Sequence, residues 1–196
     1  YPPPPGASEI LGLEMAGVVE AVGEDVGDWK VGDRVCALLS GGGYAEKVAV
    51  PGDMLMRLPD KWTFAQGTAV PEVWFTAFVN LFLEADLQAG ETVLIHAGAS
   101  GVGTAAIQLA KAMRAKVFIT AGASEKLRRC RELGVDLAIN YMEEDFLTAV
   151  KEATQGKGVD VILDPVGGSY LKQNVEALAP FGRLVNIGLL GGVHGE

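Results

Sequence analysis

Metal-binding side chains are scarce in this sequence. Its 196 residues include two cysteines, Cys36 and Cys130, and two histidines, His96 and His194. They form no CxxC or HxxxH pair, and a Cys/His zinc centre would need all four, so zinc is not expected. One disulfide is open to the two cysteines; two free thiols are the expectation for a cytosolic chain. Positive charge is also short: 16 Lys+Arg stand against 25 Asp+Glu, for a net charge of -9. Such a chain is repelled by nucleic acid backbones and anionic lipid surfaces, so neither is an expected partner. One uncharged run, Thr92 to Ala110, reaches 19 residues, a length that could cross a bilayer. Three glycines and His96 interrupt it, which reads better as strand, turn and helix. A signal peptide is not evident. Initiator methionine is lacking too; the chain opens "YPPPPG" and stops at "GGVHGE", which suggests a fragment.

What is present divides into two rhythms. Residues 1 to about 63 are rich in Gly, Pro and Val, with β-like runs "GVVEAV", "DRVCAL" and "AEKVAV" separated by turn residues. Thr63 can cap a helix with Gln66 at its third position. Pro71 should end or bend that helix, and a second should run from about Val73 to Glu84. From Thr92 onward, apolar strands alternate with amphipathic helices: "TVLIHA", "AKVFITA", "VDLAIN", "VDVILD" and "GRLVNIG" are the strands. Regular alternation with short glycine-bearing joints predicts parallel strands and right-handed crossovers. Their near-continuous apolar character predicts cover on both faces. The expected fold is a doubly wound α/β sheet preceded by a small all-β unit.

The joint "HAGASGVG", residues 96–103, follows the first of these strands and opens the first helix. A helix N-terminus there offers free N–H groups and a positive dipole end to a pyrophosphate. Gly98 and Gly103 match the outer glycines of the dinucleotide fingerprint, Ser100 stands at its middle position, and Gly101 permits close approach. Without Lys-Ser/Thr after the glycines, a P-loop NTPase is disfavoured. The second strand should carry an acid for the ribose 2′-hydroxyl in an NAD site, but it ends Thr120, Ala121, Gly122. Lys126, Arg128 and Arg129 follow, which points to a 2′-phosphate and hence NADP(H). The competing reading is a solvated helix face.

Several stretches together resemble the zinc-free medium-chain reductases: "LGLEMAGVVEAVGEDVGDWKVGDRV", "AVPEVWFTAF", "VLIHAGASGVGTAAIQLAKA", "GVDLAINYMEEDF", "GVDVILDPVGG" and "GRLVNIG". Within them the chain looks most like the zeta-crystallin-like quinone oxidoreductases, particularly their tumour-suppressor-inducible group. The resemblance covers essentially the whole chain. It implies part of a GroES-like domain at 1–72 and an NADP(H)-binding Rossmann domain at 73–196, lacking its last strand. It also implies NADPH-dependent reduction of quinones or related activated carbonyl compounds in the cytoplasm, by a homodimer when full length.

By the same resemblance, Thr76 would approach the nicotinamide end, and Gly98, Ser100, Gly101 and Val102 would hold the pyrophosphate. Lys126 and Tyr141 would hold the 2′-phosphate, Gly188 and Leu189 would flank the nicotinamide, and Tyr1 would sit near the substrate. Zinc-dependent relatives carry a histidine ligand where this chain has Leu13, and their four-cysteine lobe is missing. With no nucleophile–base pair, candidate donors to a developing oxyanion are the hydroxyls of Tyr1 and Ser100. Reduction of an activated C=C bond by an enoyl or alkenal reductase is the alternative enzyme reading. A non-enzymatic NADPH-binding protein is the alternative outside enzymology. The isolated chain is expected to turn over poorly.

Overall fold

A computed structural model describes residues 4–195. The chain divides into two compact units, Tyr1–Phe75 and Thr76–Glu196.

The first unit is an antiparallel sheet with two short helices. Strands β1 (Glu14–Val18), β2 (Arg34–Leu38) and β3 (Met56–Arg57) lie in the order β1-β2-β3. Val35, Cys36 and Ala37 are buried, as befits a strand paired on both sides. The expected strand at "GVVEAV" ends early. Val18 pairs with Arg34, and beyond it only Val19 exchanges bonds with Gly32 and Asp33 before the turn residues take over. "AEKVAV" forms no strand, because its backbone finds no ladder partner among the described residues.

Helix α1 (Phe64–Thr68) begins with the expected capping box: Thr63 Oγ1 accepts from the Gln66 amide, and Gln66 Oε1 accepts from the Thr63 amide. Helix α2 (Pro71–Phe78) starts at Pro71 rather than at Val73. The ring presets a helical φ, and its missing N–H costs nothing at a first helical position. The amide of the next residue, Glu72, donates to Glu14 Oε1 from β1 at 2.8 Å. A wide helical turn, Val79–Glu84, continues the chain, with the Ala85 amide reaching the Asn80 carbonyl at 3.1 Å.

The second unit is the alternating array. Its elements are β4 (Thr92–Ile95), α3 (Gly101–Ala112), β5 (Lys116–Ala121), α4 (Ser124–Glu132), β6 (Leu137–Asn140), α5 (Phe146–Ala153), β7 (Val159–Asp164), α6 (Leu171–Ala177) and β8 (Leu178–Asn186). All five strands are parallel, in the order β6-β5-β4-β7-β8. Consecutive residues are buried in β5 from Val117 to Ala121 and in β7 from Val161 to Asp164. Period-two alternation would leave every second one wet, so both faces are covered. Leu94, Phe118, Ile139, Phe146, Val150, Val159, Ile162 and Ala177 form the core between sheet and helices. Burial of such side chains contributes about 25 cal/mol per Å² of apolar surface removed from water. At one end of the sheet, Arg183 in β8 makes a two-pronged ion pair with Glu91, both contacts 2.8 Å, and also donates to the Ala85 and Asp86 carbonyls.

Candidate functional site

Strand order reverses direction at β4: the chain moves outward through β5 and β6, then crosses to β7 and β8. The carboxyl ends of β4 and its neighbours therefore bound a crevice where ligands bind in open α/β sheets. The "HAGASGVG" joint leaves β4 at this place.

Its backbone is tightly held. The His96 amide donates to the Leu163 carbonyl at 3.0 Å, and the Gly98 amide to the Thr120 carbonyl at 2.9 Å. A Cβ on Gly98 would lie 2.6 Å from Ile119 Cβ, and one on Gly103 would lie 2.6 Å from the Ala97 and Gly98 carbonyl oxygens. Neither position has room for a side chain. Ser100 is the N-cap of α3, its Oγ accepting from the Gly103 amide at 3.0 Å. The amides of Gly101 and Val102 have no partner among the described residues. N–H groups of this kind at the start of a twelve-residue helix are the donors that anions accept from. The Ser100 oxygen is thus engaged structurally, while its O–H donates to no acceptor among the described residues.

Beside this turn, β5 and β6 end in Ala121 and Asn140, and no carboxylate closes β5. Tyr141 follows β6, and its hydroxyl lies 2.7 Å from where a Cβ on Gly122 would stand. In the following helix, Glu125 pairs with both Arg128 and Arg129, and Glu132 pairs again with Arg128. Those hydrogen bonds hold the Glu125 carboxyl down to about 2. Lys126 makes no ion pair among the described residues. Of the three cations noted in this turn, the arginines are committed to carboxylates, and Lys126 is exposed and uncommitted.

The third edge of the crevice comes from the segment after β8. Ile187, Leu190 and Gly191 donate their amides to the carbonyls of Asp164, Pro165 and Val166 at 2.8, 3.1 and 2.7 Å. Gly188 and Leu189 lie within this zipper; a Cβ on Gly188 would stand 2.8 Å from the Pro165 oxygen. Thr76 lies half-buried in α2, its carbonyl accepting from Asn80 Nδ2 at 2.8 Å. Tyr1 lies outside the described residues.

Sequence reasoning missed a buried polar chain under the crevice. His96 and Asp164 are each 1% exposed and Asn174 is fully buried. His96 Nδ1 lies 3.0 Å from Thr120 Oγ1, and Nε2 lies 2.7 Å from Asn174 Oδ1. Asn174 Nδ2 donates to Asp164 Oδ2 at 3.0 Å. Phe146 and Tyr170 set their rings edge-on to the imidazole at 4.8 and 4.9 Å. Burial pushes the His96 pKa below its ordinary value, against the smaller opposing pull of Asn174 and Asp164. One signal was available: Asn174 shares the inward face of "LKQNVEA" with Ala177, where a polar residue needs a partner.

Both cysteines are free and buried, and burial raises both thiols. Among the described residues, no group of three or more His, Cys, Asp or Glu side chains is placed to hold a metal ion. No helix among them is long and apolar enough to cross a membrane.

Parallel sheet, glycine turn at the switch point and antiparallel leading unit define a Rossmann-type protein with GroES-like strands. Known sequences bear on it directly. Residues 1–60 match the alcohol dehydrogenase GroES-like domain, and residues 101–196 match the zinc-binding dehydrogenase family. The chain belongs to the medium-chain dehydrogenase/reductase family. It is 38% identical to the quinone oxidoreductase of Sus scrofa over 184 residues, 93% of this chain and 56% of that protein. It superposes on the Escherichia coli quinone oxidoreductase complexed with NADPH with a TM-score of 0.90 and 34% identity, covering 100% of this chain and 60% of that one. The CurK enoyl reductase matches with a TM-score of 0.88 and 37% identity, over 93% of this chain and 55% of that one. It is also 39% identical, over 92% of its length, to lovastatin diketide synthase of Aspergillus terreus, of which it spans 8%. The chain thus spans little more than half of the single-enzyme relatives, and a small share of the synthase.

Proposed function

We propose that this chain is the larger part of an NADPH-dependent, zinc-independent oxidoreductase that reduces quinones or related activated carbonyl compounds. One observation carries the reading. Among the described residues, the crevice offers two unpartnered amides at a helix N-terminus, and beside them Tyr141 over Gly122 with Lys126 in no ion pair and no terminal carboxylate on β5. That set fits a dinucleotide with a 2′-phosphate, because an acid at the end of β5 would repel it. NADPH complexed with the Escherichia coli relative supports the same choice.

NADPH, when bound, supplies the hydride; the protein supplies binding, orientation and electrostatics. The Gly101 and Val102 amides would hold the pyrophosphate, and Lys126 and Tyr141 the 2′-phosphate. Gly188 and Leu189 would flank the nicotinamide, with Thr76 approaching the same end. The Ser100 O–H, free while its oxygen caps α3, can donate to a developing oxyanion, and Tyr1 is the second candidate donor. A cytoplasmic homodimer of the full-length protein belongs to the same reading.

A second reading replaces the quinone by an activated C=C bond, and the likeness to CurK enoyl reductase favours it. The deciding experiment begins with NADPH and NADH titrations that follow quenching of the three tryptophans. Saturable quenching with preference for NADPH is expected, and binding of neither nucleotide overturns the proposal. A full-length version is then assayed on quinones and on enoyl thioesters; turnover of the thioesters alone selects the second reading. NADPH binding without turnover on either panel points to a non-enzymatic role.

A further inference from the structure

The buried chain beneath the crevice has a direction. Asp164 Oδ2 already accepts from the Gly167 amide at 3.1 Å, so it faces Asn174 as an acceptor and Asn174 must present its Nδ2 amide to it. Asn174 Oδ1 then faces His96, and an amide oxygen only accepts, so His96 Nε2 carries the proton. Nδ1 of the neutral ring is left as an acceptor, and Thr120 Oγ1 donates to it. Every polar atom is matched, and among the described residues no buried side-chain nitrogen or oxygen lacks a partner.

The ends of this chain lie under opposite edges of the crevice. His96 is the residue at which the glycine turn leaves β4, and Thr120 gives its carbonyl to the Gly98 amide. At the other end Asp164 accepts from the amides of Val166 at 2.7 Å and Gly167 at 3.1 Å. It therefore shapes the Pro165–Val166 segment whose carbonyls zip the strand-end residues 187–191. Asn174, on α6, is the side chain that joins the two. α6 holds it inward beside Ala177, and a fully buried amide with both ends bonded has no second arrangement open to it.

We propose that His96 and Asn174 are positioning residues that lock the pyrophosphate turn to the nicotinamide-flanking segment. The inference rests on the NADPH reading above. The lock sets the distance between the two halves of the dinucleotide site, and it leaves the 2′-phosphate corner of Lys126 and Tyr141 untouched.

The test compares two ligands on wild type and Asn174→Leu, a variant of similar volume that removes both bonds. Adenosine 2′,5′-bisphosphate reports only the adenosine half; NADPH spans both. We expect NADPH affinity to fall about ten- to a hundredfold, the scale on which small misplacements are felt. Affinity for the bisphosphate should stay within about twofold, a split that loss of stability alone does not produce. Equal losses for both ligands, or none, overturn the inference. Wild type that binds neither ligand overturns the NADPH reading and the lock with it. Should Asn174→Leu fail to fold, Thr120→Val, which removes only the hydroxyl donor, is measured instead and should show the same split more weakly. Nitrogen NMR of the wild-type histidines supplies a check that needs no variant. The neutral Nε2–H tautomer at His96 is required, and an Nδ1–H tautomer or a charged ring overturns the proposed direction.

Discussion

The Tyr141 hydroxyl stands over Gly122, 2.7 Å from the place a Cβ would occupy. This contact joins the ends of two neighbouring parallel strands and shapes the corner read as the 2′-phosphate site. Gly122→Ala should push the tyrosine aside and weaken NADPH without changing NADH. Lys126→Ala should do so more strongly, because loss of a charge-assisted contact costs about 1.5–3 kcal/mol, or roughly ten- to a hundredfold in affinity. Paired titrations of both nucleotides against each variant check this; equal weakening of NADH would remove Lys126 from the phosphate site.

Gly98 is a packing requirement as well as a turn residue. Gly98→Ala drives a methyl to 2.6 Å from Ile119 Cβ, close to a strand backbone that cannot yield. Overpacking of this kind costs about 1–3 kcal/mol. Urea unfolding should show that loss, and nucleotide binding should weaken with it. A variant as stable as wild type would mean that the turn has slack.

Ser100 has two separable duties. Its oxygen caps α3, and its hydrogen meets no acceptor among the described residues. Ser100→Ala should cost about 1 kcal/mol of stability, whereas Ser100→Gly should cost only a few tenths. Both should lower turnover by about tenfold or more in a full-length enzyme if the hydroxyl donates to the substrate oxygen. Turnover of the glycine variant equal to wild type would leave Ser100 with the capping duty alone.

Acid should destabilise the protein in two steps. His96 is held neutral below its ordinary pKa of 6.5, so the unfolded chain binds a proton that the folded chain refuses. Stability is then complete above about pH 6.5 and declines as pH falls, by up to about 1.4 kcal/mol per unit. Glu91 is lowered from 4.5, chiefly by its hydrogen bonds from Arg183, so its contribution is present above pH 4.5 and lost below it. Unfolding free energies between pH 8 and about pH 2 should show the first decline by pH 6 and the second below pH 4.5. His96→Gln should abolish that first step and leave the second.

Much of this was legible in the residues. Thr63 and Gln66 announced a capping box because that bond pattern is local, closed within four residues. Apolar runs such as "KVFITA" announced buried parallel strands because burial on both faces leaves no alternation. Local geometry also marked the glycine turn and the absence of an acid after β5. Less was legible in the first unit, where "AEKVAV" has a strand's composition but no ladder partner among the described residues. Strand formation depends on a neighbour that composition does not reveal.

Sequence by itself determined the alternation, the caps and the turn chemistry, all of which act over a few residues. Tertiary structure alone decided the pairings between distant residues. His96 meets Asn174 across 78 positions, and Glu125 claims Arg128 and Arg129 while Lys126 pairs with no acid among the described residues. Hydrogen-bond partners for a buried side chain are chosen by which strand ends the topology brings together. A parallel sheet with its order reversed at β4 brings residues 96, 120, 164 and 174 to one place, although nothing in their spacing says so.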